Sequence, residues 1–346
     1  GSSELCLIKN GIIADCISLD IGTVRLKELF YDKGKEKELT NFLQPILAQI
    51  PPHFKNDKLI AIGGSLRAIS GAIMERRAYP LQTLHEFNYT IDDEKNFIQE
   101  IINAPYELLG DYYIKKDRFD TIKEGALIFL NVAQKLESKE IITSGVGIRE
   151  GVYLNDILPI SKRFPANFNP SIKSLQDRFL PKVKNKIPLY ATQLFDELVS
   201  IHGLESSYKT SLINAAKLCE IGSYLDFYYA NDHSAYFILN ALNYNFSHQE
   251  KILVASIIKL EGRKIAPFIE PYKDLLPDED ILLWLSFILA ISKLLAQNYC
   301  GDEKLEFNYN DNILYIYSKN SLNIAKEALK KIVLPQSLAL AFNQKP

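Results

Sequence analysis

Ile141-Ile142-Thr143-Ser144-Gly145-Val146-Gly147-Ile148-Arg149-Glu150-Gly151 is the one stretch where strand chemistry, glycine punctuation and a paired charge coincide. Lys139 to Thr143 reads as a short buried strand. Ser144, Gly145 and Gly147 make a loop too tight for side chains, and Ile148 to Leu158 reads as a helix opening on an Arg-Glu pair. Such a loop points backbone N–H groups at an anion, but the same junction also serves plain strand-helix packing.

A second junction of this kind lies upstream. Pro51-Pro52 ends a helix predicted over Leu39 to Ile50. Lys58 to Ile62 then gives a strand closing into Gly63-Gly64-Ser65, and a helix follows from Leu66 to Met74. Arg67 stands one turn into that helix, where a guanidinium reaches an anion held at the helix start. Asp92 to Ile102 and Asp117 to Leu136 carry helical apolar periodicity, the second with Ile122, Ala126, Phe129, Ala133 and Leu136 on one stripe.

The chain opens with Gly1-Ser2-Ser3 and passes directly into a hairpin: strand Glu4 to Ile8, turn Asn10-Gly11, strand Ile12 to Leu19. Gly-Ser-Ser reads either as a cloning remnant or as the end of a glycine-rich loop whose preceding strand is missing. Asp20-Ile21-Gly22-Thr23 has the look of a phosphate loop. It follows a second hairpin strand and runs into a helix, Val24 to Phe30, so it reads as a structural turn. Residues 1–165 are thus expected to form an α/β domain with glycine loops at the carboxyl ends of strands, where binding collects in such sheets.

From Ser171 the grammar changes. Leu189 to His202, Ser207 to Ile221, Ala235 to Ala241, Gln249 to Leu260 and Asp278 to Gln297 are all helical in period, so 171–299 reads as a helical domain. A small α/β appendage, 300–346, follows: strands Lys304 to Asn308 and Ile313 to Tyr317 around Asn310-Asp311-Asn312, then a helix from Leu322 to Ile332.

Composition narrows the classes. With 40 basic and 42 acidic residues the net charge is -2, which argues against a general nucleic-acid binder, so a phosphate-rich partner must be held locally. Cys6, Cys16, Cys219 and Cys300 show no metal or disulfide spacing, which points to a reducing, cytoplasmic setting. The run Ile281 to Ala296 contains Ser286, Ser292 and Lys293 and falls short of a membrane span, reading instead as a central core helix.

Three separated stretches resemble the exopolyphosphatase and guanosine pentaphosphate phosphohydrolase family, whose members have the actin-like ATPase superfold. Gly1-Ser2-Ser3-Glu4-Leu5 resembles the end of its Asp-x-Gly-Gly-Gly-Ser-x-Glu phosphate loop. Ile62 to Ala68 is similar to its Gly-Gly-Thr-x-Arg-Ala segment, and Ser144 to Val152 to its Ser-Gly-x-Gly-Leu-Arg-Glu-Gly segment. Ser18 to Leu26 also resembles a family segment, Ser-Leu-x-x-Gly-x-Val-Arg-Leu. In long members a domain related to the His-Asp metal-dependent phosphohydrolases follows. Leu218-Cys219-Glu220-Ile221-Gly222 and His233-Ser234-Ala235-Tyr236 resemble its motifs, with Cys219 where the first histidine would be. Of His202, Glu220, His233 and His248, only Glu220 and His233 match, so this domain is expected to be structural or regulatory.

The resemblance implies a second actin-like domain, a helical extension and hydrolysis of a terminal phosphoanhydride, in polyphosphate or guanosine pentaphosphate, by Mg2+-assisted attack of water. Gly1, Ser2 and Ser3 would contact phosphate, with Glu4 near the metal or water. Gly63, Gly64, Ser65 and Arg67 would form a second wall, and Gly145, Gly147, Arg149 and Glu150 a third. The family's first domain, with the catalytic glutamate, should precede residue 1, so the chain alone is expected to be inactive. A sensor of guanosine tetra- or pentaphosphate without turnover is the alternative. An actin-like sugar or acetate kinase fits the Arg-Glu-Gly segment and the helical extension less well. The remaining reading is an assembly protein that dimerises through Ile281 to Leu295 and Trp284; a homodimer is expected, with no nucleic-acid or membrane partner.

Overall fold

The computed structural model describes all residues except 159–162, 182–184, 266, 299–304, 336–337 and 345–346, and the side chains of residues 36 and 344. Cys300 and Lys304, and the 299/300 boundary read from sequence, lie outside the described residues. The chain divides into two compact units, Gly1–Arg163 and Phe164–Pro346.

The first unit opens on an antiparallel hairpin of β1 (Ser3–Lys9) and β2 (Ile12–Leu19). Asn10 and Gly11 both have positive φ, 54° and 72°, as a two-residue turn matched to strand twist requires. Leu5, Leu7, Ile17 and Leu19 face inward against α1 (Thr23–Leu29) and α2 (Leu39–Leu47). A second sheet has the order β3 (Lys58–Ile62), β5 (Glu140–Ser144), β4 (Asn88–Thr90). β3 and β5 run parallel, with Ile62 opposite Ser144, while β4 is antiparallel to β5. At three residues, β4 is too short to show alternation in the sequence.

Helices α3 (Gly64–Arg76), α4 (Ile91–Asn103) and α5 (Ile122–Leu136) cover this sheet, and α6 (Ile148–Ile157) follows β5. The stripe read on α5 divides in the structure. Ile122, Ala126, Phe129 and Ala133 join the core around Ile73, Ile98 and Ile141, whereas Leu136 joins Ile128 and Val132 against Leu26 and Leu43. An α-helix with two apolar faces is what lies between two cores. Glu94, only 1% exposed, pairs with both Arg76 and Arg77, which joins the end of α3 to the start of α4.

The second unit contains α7 (Pro170–Phe179), α8 (Ile187–Glu197), α9 (Val199–His202), α10 (Ser206–Leu218), α11 (Ala230–Ala241), α12 (His248–Leu260) and α13 (Glu279–Asn298). The apolar run read from 281 is α13, which buries Leu285, Ile288, Leu289, Ile291 and Leu295. Trp284 lies edge-on to His202 and Phe287 at the margin of this core. Among the described residues no helix is long and apolar enough to cross a membrane.

The tail adds a sheet ordered β6 (Glu306–Asn310), β7 (Ile313–Ser318), β8 (Ala339–Gln344), with α14 (Asn323–Leu329) between β7 and β8. β6 and β7 form the expected hairpin; β8 pairs parallel to β7. Leu314, Ile316 and Ala325 share one buried cluster with Leu285 and Ile288, so tail and helices form a single core.

Candidate functional site

The parallel pairing of β3 with β5 brings their two following loops to the same end of the sheet. After β3, Gly63 has φ 134°, a conformation that favours glycine, and α3 begins at Gly64. A Cβ on Gly64 would lie 2.7 Å from the Arg118 guanidinium. After β5, Gly145 lies against His85, whose Cβ would be 2.8 Å from a Cβ built there. Arg67 joins the two loops: its Nη1 donates to the Gly145 carbonyl at 3.2 Å. Arg67 thus meets the third wall directly, which helical spacing alone does not reveal.

The amides of the second loop are engaged within the unit. Gly145 N–H donates to His85 Nδ1 at 3.2 Å, and Gly147 N–H donates to Glu150 Oε2 at 2.8 Å. Glu150 is exposed and caps its own helix. The Gly147 amide, then its own amide, with Arg149 and Arg67 adding charge, hold its carboxyl below the usual range. Ser144 Oγ closes the turn by donating to the Val146 carbonyl at 2.9 Å. Arg149 lines a shallow recess with Val146, Glu150, Tyr153 and Leu154.

At the start of β1, Ser2 Oγ donates to Glu4 Oε1 at 2.6 Å, and Ser3 Oγ donates to the Ile21 carbonyl at 2.8 Å. A Cβ on Gly22 would fall 2.6 Å from the Gly1 carbonyl carbon, so the Asp20–Thr23 turn is the seat of the chain start. Asp20 is largely exposed and pairs with Arg25 at 3.3 Å. Gly125 in α5 connects this region to the first loop, since a Cβ there would lie 2.6 Å from Ser65 Oγ and 3.4 Å from Thr23 Cγ2. Contacts therefore run from Gly1 through Gly22, Thr23 and Gly125 to Ser65, and from Arg67 to Gly145.

Sequence reasoning missed His85, Arg118, Gly125 and Glu124. Only Gly125 carried a signal, a glycine inside a helical run. Glu124 is fully buried, and neither carboxyl oxygen has a hydrogen-bond partner among the described residues. Burial pushes its carboxyl above the usual range, against its own amide and the charges of Lys27 and Lys123.

The second unit gathers its motif residues differently. Ser234 Oγ donates to the Cys219 carbonyl at 3.1 Å and accepts from Gly222 N–H at 2.8 Å. Lys293 Nζ meets the two Glu261 oxygens at 2.9 and 3.0 Å, and Gln297 donates to Glu220 at 2.9 Å. Burial works against the Lys293 charge, but Glu261, with Cys219 and Glu220 adding to it, holds this ammonium above its ordinary range. His202 is an internal group, with Nδ1 accepting from Leu204 N–H and Nε2 bonded to the Phe195 carbonyl; burial lowers its proton affinity. Among the described residues no group of three His, Cys, Asp or Glu side chains is arranged to hold a metal ion.

A family profile described as the Ppx/GppA phosphatase family matches residues 1–159, and one described as Ppx/GppA phosphatase, domain III, matches residues 170–331. Among solved structures, the chain is similar to an Aquifex aeolicus member of the Ppx/GppA family, at 24% identity and a TM-score of 0.40, over 48% of this chain and 55% of that one. It is also similar to the type II variant of the Aquifex aeolicus Ppx/GppA phosphatase, at 27% identity and a TM-score of 0.39, over 46% and 54%. The chain spans about half the length of these proteins.

Proposed function

The chain belongs to the Ppx/GppA phosphatase family, and on that premise we propose that it is the phosphate-binding part of a phosphohydrolase acting on terminal phosphoanhydrides of polyphosphate or guanosine pentaphosphate. The observation that carries this reading is the Arg67–Gly145 bond, which brings one guanidinium to two glycine loops at one end of the sheet. A guanidinium suits a phosphate's paired oxygens, and helix starts favour the anion. In this reading Ser2, Ser3, Gly1, Gly63, Gly64 and Ser65 contact phosphate, with Arg149 on the far side. Gly145 and Gly147 hold the backbone turn. Glu150 keeps the α6 start closed until an anion competes for the Gly147 amide.

Glu4 is exposed, and a single carboxylate beside substrate phosphates is the way Mg2+ is commonly held. When bound, Mg2+ would supply neutralisation of phosphoryl charge. The second reading, a sensor of guanosine polyphosphates without turnover, is favoured by Glu124. That carboxyl adjoins the loops yet is buried, and burial raises its hold on a proton, so it is poorly placed to orient water.

Titration calorimetry of this chain with guanosine tetraphosphate and with short-chain polyphosphate tests the binding reading. Arg67→Ala should weaken whichever ligand binds about tenfold or more, since a charged hydrogen bond contributes roughly 1.5–3 kcal/mol. Failure of both ligands to bind, or an unchanged affinity in the variant, would overturn it.

A further inference from the structure

Cys6 on β1 and Cys16 on β2 stand directly opposite one another in the hairpin register. Both are free thiols and both are exposed. Their neighbours Leu5, Leu7 and Ile17 turn inward, so strand alternation puts the two sulfurs together on the outward face. Directly opposed residues of an antiparallel pair have Cα atoms about 4.5–5.5 Å apart, inside the roughly 4.4–6.8 Å that a disulfide spans. The bond can close without parting or sliding the strands.

A hydrogen bond to Cys6, with the Asp15 carboxylate adding to it, strengthens the hold of Cys16 on its proton. Cys219 does not compete, because it is buried and burial pushes its thiol up to about 12.

We propose that Cys6 and Cys16 are a reversible dithiol–disulfide pair that staples the β1–β2 hairpin, with low-molecular-weight disulfides as the oxidant. One thiolate of the pair, written here for Cys6, attacks one sulfur of such a disulfide, whose S–S bond breaks to release one thiolate and leave a mixed disulfide on Cys6. Cys16 gives its proton to solvent and attacks the Cys6 sulfur, expelling the second small thiolate. Two protein thiols lose two electrons and two protons, and the oxidant is reduced to two thiols. The link lies two register positions from the Glu4–Ser18 pair, so it pins the strand end that presents Ser2, Ser3 and Glu4. This inference stands apart from the phosphate reading, because the register alone carries it.

The test uses the full chain in mixtures of oxidised and reduced glutathione, followed by alkylation and peptide mass mapping. The wild type should form one intrachain Cys6–Cys16 link, two hydrogens lighter, with no lasting glutathione adduct and full reversal by dithiothreitol. Cys6→Ser and Cys16→Ser should each leave a thiol that accumulates the adduct, whereas Cys300→Ser should keep the link. Stable adducts on the wild-type pair, two free thiols in oxidised glutathione, or a link only between chains would overturn the proposal.

Discussion

Two buried glutamates in the first unit show how differently one residue type can be held. Glu94 is paired with Arg76 and Arg77, whereas the Glu124 carboxyl has no hydrogen-bond partner among the described residues. With its proton affinity raised by burial, Glu124 keeps in the folded state a proton that the unfolded chain releases near 4.5. The folded state therefore binds more protons above that pH, so stability falls as pH rises from 4.5 towards the folded value. Glu124→Gln should remove this slope and leave the protein more stable than the wild type at pH 7. Urea unfolding across pH would check it; a less stable variant, or one with the slope intact, would refute the assignment. Nothing in the local sequence marks Glu124 or His85, because their surroundings come from segments far apart in the chain.

At the scale of elements, glycines separate into those that loops need and those that contacts need. A Cβ on Gly222 would come within 1.9 Å of the Ala230 carbonyl oxygen and 2.5 Å of the Ser234 nitrogen, both backbone atoms that cannot step aside cheaply. Gly222→Ala should cost roughly 3 kcal/mol or more. In α6 a Cβ on Gly151 meets nothing within 4 Å, so Gly151→Ala should be neutral or stabilising by up to about 1 kcal/mol. Thermal unfolding followed by circular dichroism compares the two; equal losses would show that packing at Gly222 is not the cause. Most strands and helices were legible where periodicity was long, as in α12, where Ser247 and Glu250 also close a capping box. β4 and β8 were not, since a strand of three residues and a partner arriving late in the chain depend on a neighbour already in place.

For the molecule as a whole, the proposed division of labour predicts binding without turnover in this chain. Beside the loops, Glu4 bonds Ser2, Glu150 caps its helix and Glu124 is buried, so none is poised as a free base for water. Phosphate release from guanosine pentaphosphate or long-chain polyphosphate by this chain should stay at the buffer rate with Mg2+ present, measured by a phosphate assay. Robust release would place a water-orienting carboxylate within these residues. Neighbouring residues set the local events: the Asn10-Gly11 turn, the strand-glycine-helix junctions at Gly63 and Gly145, the helical grammar after Ser171 and the resemblance that led to the family. These depend on backbone freedom and short-range periodicity, which neighbouring residues carry. Tertiary packing set the rest: Arg67 reaches the Gly145 carbonyl, Gly125 sits against Ser65 and Glu150 closes its own loop. It also put Lys293 against Glu261 within the cluster around Cys219 and Gly222. Each of these sets hydrogen bonds or van der Waals contacts within about 3–4 Å, and where they join distant segments such distances exist only after packing has brought those segments together.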